Sequence, residues 1–270
     1  MTKLLGVAGD PISHSMSPLI HNGWLRDMGY DASYEAFHIK EGEFPEALET
    51  LKSRDILGLN VTLPHKHVAL ESAALASDAA LRIGAANTLT LQPDRSWAAE
   101  NTDAPGFMKA LGPVDPHRDH ILILGAGGSA RAVVYALAGA GVKLTVLNRT
   151  VQRADDLVKA LGDQNSAYGM IDQYKDYIDS ATTVINTTSM GYGGEVLKLA
   201  AGRDRLFFDL SYGKISAAQI AEAADQGWRT MDGLTMLVAQ AAYSFEIWFG
   251  EMPDLDAALR RCQMAMKAIS

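Results

Sequence analysis

The chain has 270 residues, 48% of them apolar, and a formal net charge of −8, enough material for one large or two modest hydrophobic cores. Its acids are scattered and no basic stripe interrupts them, which argues against nucleic acid and anionic membrane as partners. The single cysteine, Cys262, excludes an intramolecular disulfide framework, and no spaced Cys/His set suggests structural zinc, so a reducing compartment fits and no metal is expected. The opening "MTKLLGVAGD" is too short in apolar length for a signal-peptide core, and no later stretch approaches the ~18 apolar residues of a membrane span. A cytoplasmic protein is expected.

Along the chain, short apolar runs alternate with helical patterns. "LLGVAG", "YEAFHI", "GLNVTL" and "NTLTL" are followed by "ILILGAG", "LTVLN", "TTVINTT" and "LFFDLS", an alternation that predicts an α/β fold. The first helix candidate is "SPLIHNGWLRDMGY", where Ser17 can cap, Pro18 suits the first helical position and Gly29 ends the turn. Just before it, "GDPISHSMSPLIH" places Ser15 and Ser17 two apart. In extended chain both hydroxyls would face one side and could converge on a small carboxylate, although Ser17 has the competing reading as a helix cap.

The next feature is "GLNVTLPHKHV". Pro64 is placed to begin a helix, "PHKHVALESAALAS", with Lys66 in its first turn. The unpaired N–H groups there disfavour a cation by ~0.3 to 1 kcal/mol, so the lysine is either a solvated side chain that tolerates the cost or a functional ammonium. His65 and His67 lack a carboxylate-rich ligand set and read as packing or solvated histidines. "GAANTLTL" and "AENTDAPGF" follow, with Asp103 open to both a functional role and a turn role. Turn formers near 101–107 and again at "MDGLTM", 231–236, mark two joints, so the chain is expected to leave one domain, build a second and return.

Between the joints, "HILILGAGGSARAVVYAL" sets Gly125, Ala126, Gly127, Gly128, Ser129 and Ala130 between a buried strand and a helix. Gly125 permits a tight turn, Gly127 lets a pyrophosphate approach backbone N–H groups, and Ala130 allows close helix packing. The second strand, "KLTVLN", ends roughly 20 residues on, where the ribose is read. Asn148, Arg149 and Thr150 stand there, with Arg153 one turn later, in place of the acid that would accept from a free 2′-hydroxyl. A guanidinium matches a phosphate, so NADP is favoured over NAD; the competing reading makes both arginines ordinary solvated cations.

Nine segments in order, "GDPISHSMSPLIHN", "NVTLPHK", "GAANT", "NTD", "GAGGSAR", "NRTVQRA", "NTTSMG", "DLSY" and "DGLTMLVAQAA", closely resemble the shikimate dehydrogenase family over nearly the whole chain. The resemblance implies a two-domain α/β enzyme of aromatic amino acid (chorismate) biosynthesis, acting as a monomer or homodimer. Residues 1–103 with 236–270 would form a substrate domain completed by C-terminal helices, and 104–235 a Rossmann-like NADP domain. It implies a catalytic pair, Lys66 and Asp103, and a carboxylate site at Ser15 and Ser17 closed by Tyr212. Asn60, Thr62, Asn87 and Gln240 would address the substrate hydroxyls of shikimate or 3-dehydroshikimate. Gly125 through Arg131, Asn148, Arg149, Thr150 and Arg153 would hold NADP, and Gly233 would approach the nicotinamide. Reduction of a carbonyl needs an acid, which a lysine ammonium supplies in its ordinary form; oxidation needs the same amine neutral.

The chain departs from the family where "GKISAAQIA" replaces the usual prolines after Tyr212, and where Pro105 replaces a less restricted residue. Two alternatives remain at this level. One is a quinate/shikimate dehydrogenase or side-branch relative; the other is a catalytically silent regulator that binds a dinucleotide. Lys66 and Asp103 together count against the second, because a pure binder has no use for a proton donor in a helix's first turn.

Overall fold

A computed structural model describes residues 2–269. It divides into two compact units, one running up to Gly106 and resuming at Leu237, the other Phe107–Met236.

The first unit contains β1 (Lys3–Gly9), α1 (Ser17–Asp27), β2 (Ala32–His38), α2 (Phe44–Ser53), β3 (Ile56–Val61), α3 (Lys66–Glu71), β4 (Leu75–Ala76), α4 (Asp78–Ile83), β5 (Thr88–Leu91) and β6 (Trp97–Glu100). The start of α5 (Asp103–Leu111) also belongs to it. Its sheet has the order β2-β1-β3-β5-β6-β4, in which β1 is parallel to β2 and β3 while β5 is antiparallel to β3 and β6. The apolar run of β1 is buried from Leu4 onward, as a strand covered on both faces requires. Leu59, Val61, Leu89 and Trp97 pack with Phe44 and Leu48 of α2 into one core.

Three predicted details differ. Met16, not Ser17, is the cap of α1, and Ser17 is its first helical residue, with Pro18 next, where its missing N–H costs nothing. The Ser15 hydroxyl instead accepts from the Ser17 N–H at 3.3 Å, so this stretch is a local turn entering a helix and not extended chain. Pro64 follows a cis peptide and lies in a turn rather than opening a helix. The helix begins at Lys66 and lasts six residues, after which the chain reaches a second short helix, α4.

The second unit holds β7 (His120–Leu124), α6 (Gly128–Leu137), β8 (Lys143–Asn148), α7 (Val151–Leu161), β9 (Ser166–Met170), α8 (Tyr174–Ile178), β10 (Thr183–Asn186), β11 (Leu206–Asp209), α9 (Lys214–Asp225) and β12 (Arg229–Met231). All its strands are parallel, in the order β12-β11-β10-β7-β8-β9. Along β7, Ile121 and Ile123 join one core while Leu122 and Leu124 join the other, which is why "ILIL" is uninterrupted by polar residues. The chain winds outward from β7 to β9, then restarts at β10 beside β7. That reversal is a topological switch point, where open α/β sheets bind ligands at the carboxyl ends of the strands.

The chain re-enters the first unit within α10 (Leu234–Phe249) and ends in α11 (Leu255–Ile269). Phe245 and Trp248 of α10 meet His21 and Trp24 of α1 in an aromatic cluster. No helix among the described residues is long and apolar enough to cross a membrane.

Candidate active site

Lys66 opens α3 directly after the β3 strand end and its turn, and Asp103 opens α5 directly after β6. The two side chains meet there: Lys66 Nζ donates to Asp103 Oδ2 at 2.6 Å, with only 13% and 8% of the side chains exposed. The geometry speaks against the solvated reading of Lys66 and the turn reading of Asp103. Lys66 is not a solvated cation, and the turn is capped by Asn101, whose Oδ1 accepts from the N–H groups of Asp103 and Ala104, leaving the Asp103 carboxylate for the lysine.

Asn87 fixes that carboxylate from the other side. Its Nδ2 donates to Asp103 Oδ1 and Thr102 Oγ1, both at 2.9 Å, and to Gln240 Oε1 at 3.2 Å, while its Oδ1 accepts from the Thr102 N–H at 2.7 Å. α5 and α10 approach closely at this point: a Cβ on Gly106 would lie 2.8 Å from the Gln240 backbone nitrogen, so only glycine fits. Pro105 occupies the first turn of α5, where it removes no intrahelical hydrogen bond.

Asn60, at the end of β3, completes the network. Its Nδ2 donates to the Asn87 carbonyl, Thr88 Oγ1 and Ser244 Oγ, and its Oδ1 accepts from the Tyr34 hydroxyl at 2.7 Å. Its donors are therefore engaged internally, and its oxygen is taken up on the buried side by Tyr34, next to His21. Burial pushes the Tyr34 phenol well above its ordinary range, with the Ser17 hydroxyl opposing. Stacked on Tyr34 at 4.2 Å, fully buried His21 is pushed down to about 3 by desolvation, the neighbouring Asn60 opposing only in part. Thr62 is half-buried beyond the strand, its N–H donating to the Ala8 carbonyl. His65 is a packing residue against Phe44 and the Ile39 carbonyl, and His67 is exposed beside Glu71, so neither forms part of the site.

Five of the expected substrate-side residues, Lys66, Asp103, Asn87, Gln240 and Asn60, thus share one hydrogen-bonded network. Ser17 joins it through Tyr34, and Ser15 through its bond to the Ser17 N–H. Sequence reading does not single out Tyr34, Thr88, Thr102 or Ser244. Ser244 carries the one local signal: a polar residue in an apolar helix, one turn after Gln240.

In the second unit, Gly125 follows β7 with φ +107°, a left-handed conformation, and its N–H donates to the Leu147 carbonyl at 2.7 Å. Gly127 caps α6 without a side-chain partner, and a Cβ there would meet nothing within 4 Å, so the backbone donors at the start of α6 lie open. Ala130 is fully buried against the core and Gly128, Ser129 and Arg131 continue the first turns of the helix. Asn148 ends β8 and donates to the Thr150 carbonyl, and Thr150 caps α7. Arg149 and Arg153 are exposed, with no ion-pair partner among the described residues. Open N–H groups at a helix start and two uncommitted guanidinium groups fit a phosphorylated dinucleotide. Tyr212 is half-buried beyond β11, and the Gly233 N–H donates to the Ser211 carbonyl at 2.9 Å.

Residues 7–89 match the shikimate dehydrogenase substrate binding domain, 109–236 match shikimate / quinate 5-dehydrogenase, and 233–263 match the shikimate 5′-dehydrogenase C-terminal domain. The chain is 48% identical over 272 residues to the shikimate dehydrogenase (NADP(+)) of Hyphomonas neptunium, covering 100% of both. It resembles the crystal structure of shikimate dehydrogenase from Aquifex aeolicus with a TM-score of 0.87 at 33% identity, covering 97% of each chain. It also resembles the Thermus thermophilus enzyme in complex with NADP(H) and shikimate, with a TM-score of 0.85 at 33% identity over 97% of this chain and 99% of that one. Matched in sequence from end to end and in fold, the chain belongs to the shikimate dehydrogenase family.

Proposed function

We propose that the protein reduces 3-dehydroshikimate to shikimate reversibly, as an NADP-dependent oxidoreductase acting on a CH–OH group. The observation that carries this reading is the buried Lys66–Asp103 pair, set among the amides of Asn87, Gln240 and Asn60. NADP(H), when bound, supplies or accepts the hydride. The chain's own residues manage the proton. In reduction, the Lys66 ammonium gives a proton to the carbonyl oxygen as the alcohol forms; in oxidation, the neutral amine takes it back. Asp103, held by Lys66 on one oxygen and Asn87 on the other, has lone pairs left to accept from a substrate hydroxyl and orient it.

On this reading the first unit is the substrate domain and the second the cofactor domain. Ser15 and Ser17 hold the substrate carboxylate with Tyr212, while Thr62, Asn60, Asn87 and Gln240 address its hydroxyls. Gly125–Arg131 and Gly233 hold the dinucleotide, and Arg149, Arg153, Asn148 and Thr150 select its 2′-phosphate. Two unpartnered arginines where an acid would serve NAD support the choice of NADP. A cytoplasmic monomer or homodimer belongs to the same reading, which the free, fully buried Cys262 supports.

A spectrophotometric assay of NADP+ and NAD+ against shikimate and quinate tests it. The highest kcat/KM is expected for NADP+ with shikimate. Comparable turnover of quinate would move the protein to the quinate/shikimate branch, and no turnover of any pair would leave a dinucleotide-binding regulator.

A further inference from the structure

The second unit contains a buried carboxylate that the proton and hydride chemistry leaves unused. Asp209, the last residue of β11, is 2% exposed. Its register partner on β10 is Asn186, which in turn stands beside Leu124 of β7, so the three lie across the switch point of the sheet. Asp209 Oδ2 accepts from Asn186 Nδ2 at 2.9 Å, and Oδ1 accepts from the Ser211 N–H at 2.8 Å. Asn186 turns its own Oδ1 toward Thr188, taking the hydroxyl at 2.7 Å and the N–H at 3.1 Å.

The connections continue on both sides. The Thr187 hydroxyl and N–H both donate to the Leu124 carbonyl, at 2.7 and 2.9 Å, immediately before the Gly125 turn. On the far side, the Ser211 carbonyl accepts from the Gly233 N–H. Burial pushes the Asp209 carboxyl up, and the donors from Asn186 and Ser211 oppose that shift. A buried carboxylate is costly unless fully hydrogen-bonded, so its presence here needs a reason beyond packing.

Resting on the reading of this unit as the NADP domain, we propose that Asp209 and Asn186 form a buried clasp that holds the loops after β7, β10 and β11 in their cofactor-binding arrangement. Asp209 is a positioning residue that acts through Asn186 and Ser211. The donor pattern makes the pair directional. In Asp209→Asn, the new amide cannot accept from both Asn186 and Ser211. In Asn186→Asp, two carboxylates face each other. The double variant N186D/D209N restores every bond with the roles exchanged: the carboxylate now on β10 accepts from Thr188 and from the amide now on β11, whose oxygen still accepts from Ser211.

The test is calorimetric titration of the full-length protein with NADP+, and separately with shikimate, accompanied by thermal melts. Each single variant should bind NADP+ at least about tenfold more weakly, with a clearly smaller loss for shikimate, which on this reading touches the loop after β11 only through Tyr212. The double variant should return NADP+ affinity to within about threefold, a rescue that general damage to the fold would not produce. Folded single variants with wild-type NADP+ affinity, or a folded double variant no better than the singles, would overturn the clasp. Should a variant fail to fold, Thr188→Val, at a half-buried loop position, takes its place: it keeps the pair and should weaken NADP+ about threefold, and unchanged affinity would overturn the proposal. If wild type itself does not bind NADP+ in the same titration, the cofactor reading fails and the clasp with it; wild-type binding with indifferent variants removes the clasp alone.

Discussion

The network around Lys66 and the strand-end edge that carries Arg149 treat polar groups in opposite ways. Around Lys66, the amide and carboxylate groups already have partners inside the protein: Asn87 alone links Asp103, Thr102 and Gln240. At the ends of β7 and β8, the helix-start donors beside Gly127 and the guanidinium groups of Arg149 and Arg153 are left open. The first region is organised before any ligand arrives, which favours orientation of reacting groups. The second keeps its donors for a ligand, which favours binding. Substitutions in the first should therefore affect turnover and stability together, and those in the second should affect affinity alone.

The largest effect should come from Lys66→Ala. Loss of the proton donor is expected to lower kcat by about 10²- to 10⁴-fold with KM for shikimate little changed, and the uncompensated Asp103 carboxylate should lower the melting temperature. Near-full turnover with an unaltered pH profile would break the contrast.

Arg149→Ala probes the other region. The loss of charge-assisted bonds to a phosphate should raise KM for NADP+ by about 10- to 100-fold, leave NAD+ nearly unaffected and keep the melting temperature. Equal losses for both coenzymes would show that the arginine does not read the phosphate.

A smaller effect concerns His21 beneath Tyr34. With its pKa lowered to about 3 in the folded state, against an ordinary 6.5, the unfolded chain binds a proton that the folded chain refuses between those values. The resulting stability is complete above pH 6.5 and declines as pH falls toward 3, by about 1.4 kcal/mol per pH unit. Denaturant unfolding of wild type and His21→Phe at several pH values should show a steeper fall in wild type than in the variant, where His120, also lowered by burial, still contributes. Equal slopes would show that His21 is not held neutral.

Much of the architecture is legible because it depends on local pattern. Uninterrupted runs such as "ILIL" mark strands covered on both faces, and Gly125 marks a turn only glycine adopts freely. Lys66 in a first helical turn is legible as an anomaly, but its buried partner Asp103 stands 37 positions away, beyond what local spacing encodes. Other elements leave weaker marks. β4 has two residues and β6 reads "WAAE", too short or too small to stand out by period. Tyr34, Thr88 and Ser244 acquire their importance from partners far along the chain: Asn60 meets Ser244 across 184 positions, a relation that no local spacing encodes. Ser17 reads as a cap because its identity satisfies the rule, whereas the helix starts one residue earlier than that rule requires.

The glycine at 106 has a mechanical consequence. With hydrogen as its only side chain, it seats the helix bearing Asp103 flush against the backbone at Gln240. A carboxylate and an amide contributed from distant parts of the polypeptide are thereby locked in step, and displacing either must drag the other along. A methyl group at 106 would act as a wedge, spoiling the alignment of both without touching either one.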